Sequence, residues 1–211
     1  MPFIKHKEKR IPWNKGKLIG QKLPLKPEQI WAIRIHLEMD NKIRDLGLFN
    51  LALDSKLRGC DLVKLTVKLT VKDVAIGNEI KSRSSVLQQK TKQPVKFEIT
   101  PKTQKALLAW INHMGLCSRD YLFPSCIHFG DHLSTQQYAR IVNKWVESIG
   151  LDKSAYGTHS LRRTKASIIY KQTKNLRAIQ ILLGHSKLES TVRYLGVETD
   201  DALELSEHIE I

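Results

Sequence analysis

The chain contains 211 residues, of which 41% are apolar, so it is long enough to bury a full hydrophobic core. Its 35 Lys and Arg outnumber 21 Asp and Glu, and the formal net charge of +14 indicates an anionic partner, most plausibly nucleic acid. Three cysteines without a Cys-x-x-Cys pattern argue against a disulfide framework, and no apolar run has the length of a signal-peptide core or a membrane span. We therefore expect a cytoplasmic protein, nucleoid-associated if bacterial, with no membrane partner.

Positive and negative charges separate along the chain. Residues 1–26 contain eight Lys and Arg against one acidic residue and are interrupted by Pro and Gly, which predicts an extended basic arm. This arm is either a DNA contact or a solubilising leader. Residues 27–199 are expected to form the folded domain. Residues 200–211, which contain no Lys or Arg, are expected to form an acidic C-terminal helix or tail that packs on protein.

Apolar residues recur with helical spacing at the start of this domain. They predict helices over 27–39 and 41–56 and a third that begins at Asp61, so that Arg58 lies between the second and the third. The tetrapeptide Lys-Leu-Thr-Val then occurs twice in succession over residues 64–71. We interpret the second copy as a tandem insertion, which adds about 1.1 turns if it is helical.

Segments rich in β-branched residues follow and predict an antiparallel meander. Strands are expected at 74–76, 84–88 and 95–99, with turns at 77–78 and 90–94. Further helices are expected over 101–114, 134–148, 158–172 and 174–183, then a short helix that carries Tyr194 and a last one over 200–208. The predicted fold class is therefore mixed and mainly α, with a small three-stranded antiparallel β-sheet.

Two arginines have the chemistry to bind one phosphate group. The planar guanidinium of arginine bonds two phosphate oxygens at once and stays protonated, so Arg58 and Arg162 could grip a phosphate from two sides. Asp61, one turn after Arg58, is expected to hold its guanidinium. Arg162 follows His159 by three residues on one helical face near an N-terminus, where the helix dipole also favours an anion.

The remaining candidates supply a nucleophile and protons. The Tyr194 hydroxyl has an ordinary pKa of about 10, so it needs nearby cations to attack at neutral pH and form a covalent intermediate. His185, after the helix-ending Gly184, could donate to a phosphate oxygen when neutral or add charge when protonated. Lys90, on the turn after the second predicted strand, could protonate a leaving oxygen, and Lys92 is a rival for that role.

The sequence shows no metal-ligand pattern. The other histidines are scattered, and no cluster of carboxylates resembles the Mg²⁺ site of a nuclease. A Gly-rich phosphate loop is also absent from the sequence. The residues therefore give little support to a metal-dependent nuclease.

Three sequence boxes carry a resemblance to a known family. FNLALDSKLRGCDLVKL contains Arg58, THSLRRTKAS contains His159 and Arg162, and LLGHSKLESTVRYL contains His185 followed nine residues later by Tyr194. In order and spacing they resemble the catalytic domain of the tyrosine recombinases, the phage integrase family. Each box alone is weakly specific, whereas three in order with a lysine on the intervening hairpin are highly specific.

The resemblance implies a site-specific recombinase that needs no metal or cofactor. Tyr194 would attack a DNA phosphodiester and form a 3′-phosphotyrosyl link, and Lys90 would protonate the departing 5′ oxygen. The two arginines and two histidines of the boxes would stabilise the pentavalent phosphate. The implied partners are double-stranded DNA, further copies of the chain in a homotetramer on DNA, and in some reactions DNA-bending accessory proteins.

The chain departs from the family pattern at two places. About 26 residues precede the first predicted helix, so the core-binding domain of full-length integrases is not expected, and the size resembles the stand-alone recombinases of fimbrial phase variation. The Lys-Leu-Thr-Val duplication, between Arg58 and the predicted sheet, is the second departure. Alternative interpretations are a DNA-binding regulator that retains the fold with weak or no catalysis, and DNA relaxation in the manner of a type IB topoisomerase.

Overall fold

The structure is a computed structural model that describes residues 21–63, 69–125, 132–196 and 207. Within these ranges the helices are α1 (Pro27–Met39), α2 (Ile43–Ser55), α3 (Gly59–Val63), α4 (Val71–Val74), α5 (Pro101–Met114), α6 (Thr135–Ser148), α7 (Thr158–Thr173), α8 (Leu176–Leu183) and α9 (Leu188–Leu195). The strands are β1 (Ala75–Ile76), β2 (Glu79–Ile80), β3 (Arg83–Leu87) and β4 (Pro94–Glu98). The chain is mainly helical with a small antiparallel β component, which confirms the predicted fold class.

The strand arrangement differs from the predicted three-stranded sheet. β1 pairs with β2, and β3 pairs with β4, in two separate antiparallel ladders. The carboxylate of Asp73 accepts hydrogen bonds from the main-chain N–H (2.7 Å) and the hydroxyl (2.8 Å) of Thr70, which caps α4 and places Val74 in a helix. Gly77, with φ +58°, then closes a tight turn, so that β1 and β2 form a hairpin of their own.

The predicted helices agree with the structure to within about two residues at each described end. The helix expected over 200–208 lies outside the described residues apart from residue 207, as does the arm up to residue 20. The first copy of the repeated tetrapeptide, residues 64–67, also lies outside them. In the described part of the chain, none of the helices combines the length and the apolar character needed to cross a membrane.

Helix α2 lies at the centre of the main hydrophobic core. Every residue from Gly47 to Ser55 is buried, and the helix packs against α1, α5 and α7. A helix that is buried on every side needs side chains that are apolar or hydrogen bonded on every face. The sequence over these residues meets this requirement. A second, smaller core lies between α7 and α8, and Tyr194 and Leu195 of α9 pack against it.

Buried charges connect α2, β4 and α7. Lys56 ends α2 in the left-handed conformation, with φ 54°, and its fully buried ammonium lies 2.9 Å from Oε1 of Glu98 on β4. Lys165 on α7 lies 2.6 Å from both Oε1 of Glu98 and Oδ1 of Asp54. Each of these charges has a partner of opposite sign, so none of them is buried as an unpaired ion. They fix the end of α2, just before Arg58, relative to α7.

Candidate active site

Arg58 lies in the short connection between α2 and α3. Its Nη1 atom is 3.8 Å from Oδ2 of Asp61, and it donates a 2.7 Å hydrogen bond to Oε1 of Gln88. The other carboxylate oxygen of Asp61, a fully buried residue, accepts from the main-chain N–H of Gln89 at 2.8 Å. The predicted pairing of Asp61 with Arg58 is confirmed. The same carboxylate also anchors the turn that follows β3.

The side chain of Gln88 connects the surroundings of the two arginines. It is fully buried, and its Nε2 atom donates to the main-chain oxygen of Leu183 at 3.2 Å. Nη2 of Arg162 donates to the same oxygen at 2.7 Å. The hydroxyl of Thr91 donates to Oε1 of Gln88 at 2.9 Å. One amide therefore links Arg58, the end of α8 and the turn between β3 and β4.

Arg162 lies in the first turns of α7, which begins at Thr158 with Gly157 as the N-cap residue. Its side chain is 98% buried, and its Nη1 atom is buried without a hydrogen-bond partner among the described residues. Burial lowers the pKa of Arg162 to about 10, so the guanidinium is charged at neutral pH. A buried N–H of a charged group that lacks a protein partner calls for an external acceptor such as an anion.

His185 directly follows a glycine whose conformation and surroundings disfavour any side chain. Gly184 ends α8 with φ +64°, and a Cβ atom there would lie 2.4 Å from Cγ2 of Val95 and 3.1 Å from Oε1 of Gln88. The conformation and the space therefore both require glycine. The tight approach places Gly184, immediately before His185, beside Val95 and Gln88.

Each ring nitrogen of His185 contacts one side chain, on α7 and on α9. Nε2 is 3.4 Å from Nη2 of Arg162 on α7, and Nδ1 is 3.1 Å from Oγ1 of Thr191 on α9. Burial, together with the charges of Arg162 and Arg58, lowers the pKa of His185 to about 4. The imidazole is therefore neutral at neutral pH in the free protein.

Tyr194 on α9 lies beside this cluster. Its ring centroid is 5.4 Å from that of His185 at an interplanar angle of 85°, and the guanidinium carbons of Arg162 and Arg163 are each 5.7 Å from the ring centroid. The hydroxyl makes a long, 3.5 Å contact with the main-chain oxygen of His159. Burial raises the pKa of Tyr194 to about 12, although Arg162 and Arg163 act in the opposite direction. The phenol is therefore protonated at neutral pH.

His159, the second residue of α7, is exposed. Partial burial and the charges of Arg162, Arg58 and Arg163 lower the pKa of its imidazole. His159 is thus neutral near neutral pH and lies at the side of the cluster that is open to solvent.

Lys90 lies on the turn between β3 and β4, where the sequence predicted it, and is exposed. Its two neighbours, Gln89 and Thr91, hydrogen bond to the side chains that hold Arg58. The turn is therefore anchored to the surroundings of Arg58, although the ammonium itself extends from the surface. Lys92 is also exposed and adopts φ 54°.

Arg163 was not among the predicted site residues, yet it supports the tyrosine. It is 93% buried, and its guanidinium donates to the main-chain oxygens of Lys22 (2.7 Å) and Leu195 (3.3 Å). Leu195 is the last residue of α9, and Lys22 precedes α1. Arg163 therefore joins the segment before α1 to the end of the helix that carries Tyr194.

Five of the six predicted residues lie together in one cluster: Arg58, His159, Arg162, His185 and Tyr194. The sixth, Lys90, lies on a turn that hydrogen bonds anchor to the partners of Arg58. Fixed cations and imidazoles around a phenol can neutralise the charge of a tetrahedral anion under attack by that phenol. Sequence reasoning missed Gln88, Thr191 and Arg163. Among the described residues, no group of three or more His, Cys, Asp or Glu side chains could hold a metal ion.

Comparison with known proteins identifies relatives of the chain. Residues 24–200 match the phage integrase family. The probable integrase/recombinase YoeC of Bacillus subtilis is 31% identical over 173 residues, which cover 82% of this chain and 88% of YoeC. The tyrosine recombinase XerC of Chlamydia trachomatis serovar L2 is 30% identical over 205 residues, which cover 90% of this chain and 61% of XerC. The chain therefore spans most of YoeC but less than two thirds of XerC.

A solved structure shows the same fold. The site-specific recombinase XerH, in a pre-cleavage complex with its difH substrate, superposes with a TM-score of 0.68 at 19% sequence identity, over 88% of this chain and 55% of XerH. At this level of identity the similarity concerns the fold.

Proposed function

The chain belongs to the phage integrase family, and we therefore propose that it is a site-specific recombinase that cleaves and rejoins double-stranded DNA through a 3′-phosphotyrosyl intermediate. The relatives named tyrosine recombinase and the substrate complex of XerH support DNA as the partner. The formal net charge of +14 is in keeping with a polyanionic substrate.

The observation that carries this proposal is the position of Arg162 beside Tyr194. A fully charged, buried guanidinium has one nitrogen without a partner among the described residues, and its carbon atom is 5.7 Å from the centroid of the tyrosine ring. An anion bound at that nitrogen would lie beside the phenol. A phosphodiester is the anion that a tyrosine can attack to form a stable covalent link.

In the proposed reaction, the hydroxyl oxygen of Tyr194 attacks the phosphorus and passes its proton to a neutral imidazole of the cluster, while the bond to the 5′ oxygen breaks. Arg58 and Arg162 neutralise the non-bridging oxygens, and their separation is fixed through Gln88 and the main chain of Leu183. His159 and His185 provide further hydrogen bonds to the phosphate. Religation is the reverse step on a partner strand and needs no external energy source, since the phosphotyrosyl bond retains that of the phosphodiester.

Lys90 is the proposed general acid for the departing 5′ oxygen. The turn that carries it is held by hydrogen bonds of its two neighbours to the partners of Arg58, while the lysine is exposed and free to reach a bound backbone. An ammonium on an anchored turn combines reach with a defined starting position. Lys92, two residues further, is the residue against which this assignment has to be tested.

The proposal is tested with a nicked suicide DNA substrate, which traps the covalent intermediate because a short fragment diffuses away after cleavage. The wild-type protein should give an adduct that resists SDS, with the modified peptide containing Tyr194. Tyr194→Phe should give none, while DNA affinity is retained, since only a hydroxyl is lost. Tyr170→Phe is the matched control, because Tyr170 is a buried tyrosine in the same small core and should leave the adduct intact.

Each other outcome leads to a different function. An adduct with Tyr194→Phe would place the nucleophile elsewhere. Specific DNA binding without any adduct would favour a DNA-binding regulator with the recombinase fold. Adduct formation with relaxation of supercoiled DNA, but without strand exchange between two sites, would favour a topoisomerase-like activity.

The proposed active assembly on DNA is a homotetramer. Exchange between two duplexes breaks two strands in each, and one tyrosine per chain requires one chain per broken strand. Residues 27–199 would form the catalytic domain, the basic arm of residues 1–26 would contact DNA, and the acidic residues 200–211 would join neighbouring copies. Light scattering of the protein with and without DNA carrying two sites measures the assembly; a complex that never exceeds two chains would contradict it.

A further inference from the structure

The hydrogen-bond partners of His185 define where its proton lies. Nδ1 is 3.1 Å from the hydroxyl of Thr191, and Nε2 is 3.4 Å from Nη2 of Arg162. Thr191 is fully buried, so no water competes for this contact. The two ring nitrogens therefore face two different kinds of partner.

Arg162 can only donate hydrogen bonds, whereas the hydroxyl of Thr191 can donate or accept. A proton on Nε2 would point at a guanidinium N–H, which would set two donors against each other beside a positive charge. A proton on Nδ1 avoids this conflict, because Nδ1–H then donates to Thr191 and the lone pair of Nε2 faces Arg162. A neutral imidazole carries a single proton, so only one of these arrangements is possible at a time.

We propose that Thr191 is a positioning residue that accepts the Nδ1–H of His185 and, together with Arg162 facing Nε2, holds the imidazole in the Nδ1-protonated form, so that Nε2 presents a lone pair toward the substrate. This inference rests on the proposed function in so far as Nε2 faces the bound phosphate. It changes the expected chemistry of His185. The neutral imidazole cannot donate to a phosphate oxygen from Nε2, and it becomes a donor only after Nε2 takes up a second proton.

The surroundings of His185 make that proton uptake depend on the substrate. Arg162 and Arg58 are the charged groups that act on the ring, and both disfavour the imidazolium in the free protein, in agreement with its lowered pKa. Tyr194, the titratable group whose ring packs against it, is neutral. A phosphodiester between the arginines would offset their charge. The imidazolium would then use both N–H groups, one to Thr191 and one to a phosphate oxygen.

Thr191 also connects His185 to the nucleophile. It lies on α9, three residues before Tyr194 and on the same side of that helix. A shift of α9 would therefore move the tyrosine and the partner of His185 together. Helix α9 therefore fixes the position of the phenol relative to the imidazole that Thr191 holds.

The tautomer is measured directly by ¹⁵N NMR of the histidine ring nitrogens in the full-length protein without DNA. The His185 signals are assigned by their loss in His185→Asn. In the wild-type protein Nδ1 should have the shift of a protonated nitrogen and Nε2 that of an unprotonated one. Thr191→Ser retains a hydroxyl and should keep this pattern, whereas Thr191→Val should move both shifts toward the averaged values of a mixed population.

The matched control is Thr164→Val, which removes the hydroxyl of another buried threonine that bonds the main chain of Ser160 and Leu25. It should leave the His185 pattern unchanged, which separates a loss of stability from a loss of the tautomer. Wild-type signals with the proton on Nε2 would overturn the inference without any variant. An unchanged pattern in Thr191→Val would overturn it as well.

Single-turnover cleavage of the suicide substrate tests the consequence. Thr191→Val should slow cleavage at saturating DNA by about ten- to a hundredfold, the range known when the partner that orients a metal-binding histidine is removed, with DNA affinity unchanged. Thr191→Ser should restore most of the rate. A wild-type rate in Thr191→Val would refute the catalytic part. A wild-type protein that forms no adduct but shows the Nδ1–H pattern would refute the proposed function and leave the tautomer assignment standing.

Discussion

Gln88 accepts a 2.7 Å hydrogen bond from Arg58 while its own amide nitrogen donates, at 3.2 Å, to the carbonyl that also binds Arg162. The two arginines are therefore not independent surface cations. Their spacing is set by one buried amide and one main-chain oxygen. A catalytic site that must match the oxygens of one phosphate benefits from donors fixed before the substrate arrives.

Replacement of Gln88 by leucine should reduce both stability and cleavage. Leucine is similar in size to glutamine, but it removes the 2.7 Å acceptor of Arg58 and one of the donors to the carbonyl of Leu183. Each buried polar group left unpaired costs about 1–3 kcal/mol. We expect the free energy of unfolding in urea to fall by that order and single-turnover cleavage at saturating DNA to fall more than DNA affinity does.

Gln89→Ala is the control for this change. The recorded hydrogen bond of Gln89 uses its main-chain N–H, which alanine retains. Its unfolding free energy and cleavage rate should stay close to those of the wild type. Equal losses in Gln88→Leu and Gln89→Ala would show that the turn as a whole, and not the buried amide, matters.

Gly184→Ala should misplace His185. A left-handed conformation costs a residue with a Cβ atom roughly 1–2 kcal/mol, and the new atom would lie 2.4 Å from Cγ2 of Val95. Gly150 offers the matched control, since its φ is +73° but nothing lies within 4 Å of a Cβ built there. Gly150→Ala should show the conformational cost alone in urea unfolding and cleave DNA normally, whereas Gly184→Ala should be less stable and defective in cleavage. Similar unfolding free energies for both would argue against the close contact.

The sequence predicted what is encoded over short distances. Helix boundaries followed from apolar periodicity with Pro and Gly at the ends, and the three boxes identified the candidate arginines, histidines and tyrosine that lie together in the structure. The strand arrangement was less accessible, because the capping of α4 by Asp73 took Val74 from the expected first strand. That contact is also local, but the β-branched residues around it fit a strand as well as a short helix, so the pattern does not distinguish the two.

The supporting residues were not predictable, because their partners are distant in the sequence. Gln88 and Leu183 are 95 residues apart, and Arg163 and Lys22 are 141 apart. Nothing in the sequence near Gln88, Arg163 or Thr191 distinguishes them from ordinary polar residues of a strand end or a helix. Their partners come from the packing of α8 against β4, from the packing of α7, α8 and α9 against one another, and from the segment before α1.

Lys90→Ala should slow cleavage of ordinary DNA and be rescued by a substrate with a bridging 5′-phosphorothiolate. Sulfur leaves without a proton, so the general acid becomes dispensable. Lys92→Ala, an exposed lysine on the same turn, is the matched control and should cleave both substrates alike. The ratio of the two cleavage rates for each variant is the measurement. Rescue of Lys92→Ala alone would transfer the role to that residue.

The buried ion network beneath the site should make stability depend on acid pH. Burial acts to raise the pKa of Asp54, but hydrogen bonds from Lys165, Thr103 and Thr100 outweigh it and hold the pKa below its ordinary value. The unfolded chain, with an Asp pKa of about 3.9, therefore binds the proton first. The contribution of Asp54 is fully present above that pH and is lost as pH falls through the lower pKa of the folded state.

Urea unfolding of the wild type and Asp54→Asn between about pH 6 and about pH 2 measures this contribution. The variant should be less stable at the upper end, because Lys165 loses one of its two carboxylate partners, and the difference in unfolding free energy should shrink as the solution becomes more acidic. Asp40→Asn is the control, since Asp40 pairs with Lys42 at 3.4 Å on the surface and should change little at any pH. A difference for Asp54→Asn that stays constant down to the lowest pH would mean that the carboxylate is not held ionised by the network. Such a result would also argue that the ion network does not stabilise the end of α2, which precedes Arg58.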